Sequence, residues 1–254
     1  METYRQQAPD LPDSVFPNNW FSTHRSVDIP DGLFVLYPMR VPSREKEKNP
    51  EIIQREGAKY KHFLEVERKK PDQALEGTGS LLFDVENKKI FCNLSVRADE
   101  TLLEKFLSDF NKLSKVPYKT VTWRSVDPSV DPVYHTNVVM AILRDHVILC
   151  TESIRDRAER ERVVEEIQGS RRNRKPRKII DIKYDEMLNM AGNMIMVQNV
   201  RGEDCVIMSK RARNGLTPDN LSTLEKAYRI ISSDLSTIET IGGGSARCMV
   251  AELF

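Results

Sequence analysis

Two hydrophobic periods alternate along the chain. Between Glu100 and Leu113, the residues Leu102, Leu103, Phe106, Leu107, Phe110 and Leu113 fall at helical spacing and predict an amphipathic helix with its stripe on a core. Shorter β-rich runs predict strands. Leu33-Phe-Val-Leu-Tyr is closed by Pro38, and the runs from Ser80 to Val85 and from Lys89 to Leu94 read as a hairpin across Glu86-Asn87-Lys88. A second pair runs from Thr136 to Arg144 and from His146 to Cys150, and a third from Met194 to Asn199 and from Cys205 to Ser209. Charged helices are predicted from Pro50, over about Asp156 to Gln168, and over Thr217 to Tyr228, with a strand from Lys178 to Ile182. Residues 1–31, rich in Pro, Asp and Asn, read as a loop around Ser14 to Trp20, so regular structure is expected from Leu33 onward.

Two strands, a helix and another strand therefore recur at a spacing of about 55 to 60 residues, which suggests modules around a shared axis. The class is α/β, with residues 1–254 as one domain. In a closed arrangement the loops at the strand ends meet in one central place.

Charge narrows the functions open to such a fold. With 39 Lys+Arg against 38 Asp+Glu and a net charge of +1, there is no global field for nucleic acid or an anionic membrane. No apolar run reaches the 18 or so residues of a membrane span, and the N-terminus has neither signal-peptide nor transit-peptide character, so the expectation is a cytoplasmic protein with no membrane partner. The basic run from Arg171 to Lys178 reads as a solvated surface loop balancing the acidic helix before it; nucleic-acid binding or a nuclear address is the alternative, without interleaved aromatics for base stacking. Four cysteines (Cys92, Cys150, Cys205, Cys248) show no CxxC pairing and no histidine at metal spacing, so free thiols are expected, with neither disulfides nor a metal.

Four segments put small and polar residues where strands should begin: Pro12 to Trp20, Leu75 to Ser80, Tyr134 to Val138, and Gly242 to Cys248. Three glycines deliver Cys248 onto an expected last strand from Met249 to Leu253 and allow close approach of a ligand. No Lys-Ser/Thr follows them, which speaks against a nucleotide phosphate loop. Cys248 beside Arg247 is a candidate thiolate nucleophile with His135 as its acid/base partner; a buried structural thiol and a satisfied core histidine are the alternatives. Glu76, flanked by glycine, can lie against a substrate or be an ordinary turn acid. His24, His62 and His146 read as surface or structural.

In order, the segments Pro-Asp-Ser-Val-Phe-Pro-Asn-Asn-Trp, Val-Leu-Tyr-Pro-Met, Leu-Glu-Gly-Thr-Gly-Ser, Tyr-His-Thr-Asn-Val, Ala-Gly-Asn-Met and Gly-Gly-Gly-Ser-Ala-Arg-Cys-Met cover almost the whole chain. With them, the chain resembles the amidinotransferase branch of the pentein superfamily, most of all its citrulline hydrolases. The resemblance implies a pentein α/β propeller of five ββαβ modules around a central site, working without metal or organic cofactor. It implies Cys248 as nucleophile, His135 as general acid/base and Glu76 as the carboxylate holding the substrate's terminal nitrogens. Arg44 and Arg97 match positions that hold a substrate α-carboxylate, with surface ion pairs as the alternative, and Asp13 matches a site-lining position. Relatives carry further sequence ahead of the first motif, so the first module is expected to be N-terminally incomplete.

Arginine deiminases and dimethylarginine hydrolases grip a guanidinium with carboxylates at the positions of Asn19 and Asn137. Here both are amides. A guanidinium offers only donors, whereas a neutral ureido group also presents a carbonyl acceptor, which a carboxamide can match. The resulting expectation is hydrolysis of citrulline to ornithine, carbon dioxide and ammonia, with a small amino acid as the only partner and a homo-oligomer left open. The alternatives are a guanidine hydrolase, an amidinotransferase or a non-catalytic binding module.

Overall fold

The computed structural model describes residues 11–169 and 175–254. Four three-stranded sheets organise the chain, and each is built the same way. In the first, β1 (Phe21–His24) pairs antiparallel with β2 (Leu33–Leu36), and β2 parallel with β3 (His62–Glu65) after a crossover through α1 (Pro42–Glu45) and α2 (Pro50–Gly57). After α3 (Gly77–Ser80) come β4 (Leu82–Asp84) and β5 (Lys89–Asn93), crossing through α4 (Glu100–Leu113) to β6 (Lys119–Trp123). Next are α5 (Thr136–Val139), β7 (Met140–Ile142) and β8 (His146–Leu149), then α6 (Arg157–Gln168) and β9 (Lys178–Asp181). The last module runs from α7 (Tyr184–Leu188) through β10 (Ile195–Gln198), β11 (Asp204–Ser209), α8 (Lys210–Gly215) and α9 (Pro218–Ala227) to β12 (Arg229–Ser233), and α10 (Ser236–Gly242) follows. Parallel pairing of the second and third strands needs a long crossover, which is why a helical segment falls between them each time.

The helical stripe behaves as its spacing predicts. Asp99 caps α4 by accepting from the Leu102 backbone N–H, and Leu102, Leu103, Phe106 and Phe110 are buried against the first two sheets. Burial of each such side chain contributes about 1.5–3 kcal/mol. Asp156 and Thr217 cap α6 and α9 in the same way, and Pro218 opens α9. A second cluster unites the third and fourth sheets, and a third gathers Trp20, Phe21 and Phe34.

Several expectations are corrected. Residues 1–31 are not all loop: Phe21–His24 form β1, whose buried face of Phe21, Ser22 and Thr23 lacks the clean apolar run that announces a strand. Strands β3 and β12 alternate half-buried and exposed positions, β6 is buried only at Val121 and Trp123, and all three are short, so a sequence without long apolar runs conceals them. Where the resemblance implied five modules with the first one incomplete, four three-stranded modules are present among the described residues. Met249 to Leu253 form no strand; the C-terminus lies along β1 through hydrogen bonds from Thr23 Oγ1 to the Glu252 carbonyl and from the Phe254 N–H to Thr23 Oγ1.

Of the basic run, residues 171–174 lie outside the described residues. Arg177 is not solvated: it is buried and donates to Asp84 at 2.6 Å and to Glu86 at 2.8 Å, joining the second module to the third. Among the described residues no helix is long and apolar enough to cross a membrane, and no cluster of three or more His, Cys, Asp or Glu could hold a metal.

The first strands β1, β4, β7 and β10 line a common cavity of about 350 Å³. Just ahead of each stand Asn18 and Asn19, then Glu76 to Ser80, then His135 to Asn137, then Asn193. Equivalent positions of the four modules thus supply the candidate chemistry.

Candidate active site

Backbone crowding brings these segments together. Gly77 adopts φ +43°, and a Cβ there would stand 2.2 Å from the Asn18 carbonyl oxygen. Only glycine lets α3 pack so closely on the Pro17–Asn19 turn. Gly192 does the same for the fourth module, where a Cβ would lie 2.1 Å from the Val138 carbonyl oxygen. The result is Asn193 directly against Asn137, donating from Nδ2 to the Asn137 carbonyl at 3.2 Å.

Glu76 and His135 form a fully buried pair, with Nε2 and Oε2 at 2.7 Å. Burial works to raise the Glu76 carboxyl, but the hydrogen bond and charge of His135, the charge of Arg97 and the Arg40 backbone N–H outweigh it and hold the group at about 2. The carboxylate is therefore ionised and accepts only, so Nε2 carries the proton and Nδ1 is left as the free base. Burial lowers the His135 pKa against the pull of Glu76, and Arg97 and Arg44 lower it further, so the neutral ring is favoured. Gly79 keeps Nδ1 uncovered: a Cβ there would lie 3.0 Å from Nδ1 and 2.4 Å from Asn19 Nδ2.

Cys248 sits in the turn after α10, and its Sγ receives N–H groups from Asn193 Nδ2 at 3.1 Å and Asn137 Nδ2 at 3.5 Å. Asn193 is oriented unambiguously, because its Oδ1 accepts from the Arg247 backbone N–H at 2.9 Å. The Arg247 guanidinium is engaged elsewhere, with Glu252 and the Val250 carbonyl, so the expected assistance to the thiol comes from two amides. Burial pushes the Cys92 and Cys150 thiols up to about 12, which leaves them protonated and inert. Tyr134 ties the two halves, its hydroxyl donating to the Gly243 carbonyl at 2.9 Å and its ring lying against His135.

The site residues expected from the sequence are brought together, but two are engaged differently. Both Glu76 oxygens are occupied by protein: Oε1 accepts from the Arg40 N–H at 2.9 Å, and Oε2 from His135 and from Arg97 at 3.2 Å. Glu76 thus serves His135 in this geometry, and among the described residues Oε1 accepts only the Arg40 N–H. Arg44 is buried and bonded to Glu47, Asn19 and the Asp13 carbonyl, with the Asp13 carboxylate 3.8 Å away. Arg97 remains partly exposed, over the Tyr134 ring, and is the better placed of the two for a carboxylate. Asp13 is more open than Arg44 at the rim.

Glu47, Asn18 and Asn193 were not singled out by sequence reasoning. Asn193 lay in the Ala-Gly-Asn-Met segment, where its place before a strand pair, matching Asn19 and Asn137, was the available signal. Asn18 is fully buried with neither side-chain polar atom partnered, and Asn19 Nδ2 and Asn137 Oδ1 are likewise unpartnered among the described residues. Buried polar atoms without partners are costly, so those on Asn19, beside His135, and on Asn137, beside Cys248, mark where a polar group can bind.

A family model described as "N,N dimethylarginine dimethylhydrolase, eukaryotic" matches residues 3–254. The chain belongs to that family. No curated protein sequence matched it. Among solved structures, apo ArgZ, an arginine dihydrolase from the ornithine-ammonia cycle in cyanobacteria, superposes with a TM-score of 0.70 at 18% identity, over 97% of this chain and 34% of that one. The chain thus spans about a third of full-length ArgZ. The N-terminal domain of ArgZ covalently bound to a reaction intermediate gives a TM-score of 0.71 at 19% identity, over 97% of this chain and 78% of that one. A dimethylarginine dimethylaminohydrolase adduct with 4-chloro-2-hydroxymethylpyridine gives 0.63 at 20% identity, over 94% and 78%. These likenesses show the pentein fold.

Proposed function

We propose that the chain is a cysteine-dependent hydrolase of C–N bonds at the terminal carbon of an arginine-type amino acid, a guanidino compound such as arginine or dimethylarginine. The buried Glu76–His135 pair at 2.7 Å, on the segment whose Asn137 touches the Cys248 sulfur, carries this reading. Family membership supports it, as does the arginine chemistry named for ArgZ.

In this scheme His135 Nδ1 takes the Cys248 thiol proton as the sulfur attacks the terminal carbon, then passes that proton to the departing nitrogen as its bond to carbon breaks, and a covalent S-linked intermediate forms. His135 Nδ1 then takes a proton from water, which attacks that intermediate and releases the thiolate. Glu76 stabilises the imidazolium formed at each step, and Arg97 holds the substrate carboxylate at the rim. No step needs a metal or organic cofactor.

A ureido substrate, citrulline, is the second reading, and one observation favours it. Apart from Glu76, whose oxygens are occupied, the groups around Cys248 are carboxamides, and they leave both a donor and an acceptor unpartnered. A guanidinium gains no counter-charge from such a set, while a ureide matches it.

The test is release of ammonia, alkylamine, citrulline and ornithine from arginine, dimethylarginine and citrulline, with the Cys248→Ala variant as control. Cysteine-dependent turnover of any of the three supports the hydrolase, and the product pattern separates the two readings. A folded chain silent on all three would overturn it.

A further inference from the structure

Arg44 occupies a position expected to clamp a substrate carboxylate, yet its donors are already committed. Nε donates to Glu47 Oε1 at 2.9 Å and Nη2 to Glu47 Oε2 at 3.0 Å, a two-pronged pair buried on both sides. Nη2 also reaches the Asp13 carbonyl at 3.4 Å, and Nη1 donates to Asn19 Oδ1 at 3.1 Å. Glu47 is buried, and burial raises its carboxyl against the opposing pull of Arg44. Neither group has solvent to turn to, so the fork is held in one orientation.

A guanidinium has only donors. Whatever atom of Asn19 faces Arg44 must therefore be the carbonyl oxygen, and the amide nitrogen must face the other way. That nitrogen is buried without an acceptor, over Gly79, next to the point that His135 Nδ1 also faces. On the far side of the site Asn137 turns its N–H toward the Cys248 sulfur and leaves Oδ1 unpartnered. One free donor beside His135 Nδ1, and one free acceptor on the residue whose N–H meets the thiol, are thus left in the site.

We propose that Glu47 and Arg44 form a positioning pair that locks the Asn19 carboxamide with its N–H donor turned into the site, so that the site holds a ureido carbonyl oxygen in preference to a guanidinium nitrogen. This rests on the second, ureido reading of the hydrolase above and not on the guanidino one, and names the feature that would select it. A guanidinium would set donor against donor at Asn19; a ureide sets its carbonyl oxygen there and an N–H on Asn137 Oδ1. Glu47 acts through Arg44 and Asn19 and touches no substrate.

Calorimetric binding of citrulline and arginine to the full-length Cys248→Ala protein tests this, with Glu47→Gln and Asn19→Asp added separately. The parent binds citrulline more tightly. In Glu47→Gln an amide N–H faces the Arg44 donors, the fork is released and Asn19 can turn, so the citrulline-to-arginine affinity ratio falls about tenfold or more, the scale on which a mismatched buried polar contact discriminates. Asn19→Asp, an acceptor only, inverts the preference. If Glu47→Gln does not fold, Arg44→Lys replaces it, since one ammonium cannot hold both Glu47 and Asn19. A parent that prefers arginine, a ratio unmoved in a folded Glu47→Gln protein, or equal losses for both ligands would each overturn the positioning role. Binding of neither ligand by the parent, together with silence in the turnover assay, would remove the hydrolase reading and this inference with it. A discriminating parent with an unmoved ratio removes only the inference.

Discussion

Glu76 and His135 lie 59 residues apart in sequence and share a 2.7 Å hydrogen bond in which the carboxylate takes Nε2 and leaves Nδ1 as the base. Replacing Glu76 by Gln keeps the shape but allows the amide to present either end to the ring, so the tautomer is no longer fixed. Steady-state kinetics of Glu76→Gln are expected to show kcat lower by about 10² to 10⁴ with little change in KM, the range seen when an acid/base residue loses its orienting group. A rise in KM alone would return Glu76 to the substrate-holding role that the family resemblance implied.

Asn193 donates to the Cys248 sulfur at 3.1 Å and is held by the Arg247 N–H. Hydrogen bonds to a charged group are worth about 1.5–3 kcal/mol, so removing this one should slow alkylation of Cys248 by about tenfold or more at fixed pH. Mass-spectrometric rates for iodoacetamide on wild type and Asn193→Ala, each referenced to the same protein unfolded in denaturant, measure the effect. Equal rates would mean that the amide contact does nothing for the thiol.

Gly77 and Gly79 make opposite predictions about where damage appears. A methyl at Gly77 meets the Asn18 backbone at 2.2 Å with φ at +43°, and backbone cannot swing aside, so Gly77→Ala should fail to fold or unfold many degrees lower. At Gly79 the obstacles are the Asn19 and His135 side chains, so Gly79→Ala should fold while losing most of its activity. Thermal melts and turnover on both variants separate the two, and a fully active Gly79→Ala protein would contradict the site geometry.

His24 should make the protein sensitive to acid. Its ring packs on Phe83 and Phe110 with Ser22 at Nε2, its remaining exposure faces the central cavity, and burial holds it at about 3 instead of the usual 6.5. As pH falls, the unfolded chain takes up the proton first. Stability is therefore complete above pH 6.5 and is lost toward pH 3, at up to about 1.4 kcal/mol per pH unit. Glu76, lowered to about 2 from 4.5 against its own burial, adds a loss in the same direction below pH 4.5. Urea denaturation at pH 7 and pH 5 should show a smaller drop for His24→Gln than for wild type; identical slopes would assign the acid response to other groups.

The sequence alone determined what is local and periodic. The α4 stripe, the Thr217-Pro218 helix start and the pairing of adjacent strands depend on neighbours within a few residues, and they stand where the pattern put them. The repeating order of strands and helix was legible for the same reason, as was the pooling of the glycine-flanked and asparagine-bearing segments. Strand β1 and the unformed last strand were misread because both depend on what lies beside them: Ser22 and Thr23 are buried by partners far along the chain, and Met249 to Leu253 join no ladder among the described residues.

Tertiary structure decided which partner each functional group faces. Arg44 could have clamped a substrate until Glu47 and Asn19 were found to hold its fork, and Glu76 could have gripped one until Arg40, Arg97 and His135 were found to occupy both its oxygens. The physical reason is that hydrogen bonds are short and directional, so a donor's use is set by the atom a few ångströms away. Here that atom usually comes from another module, dozens of residues distant along the chain.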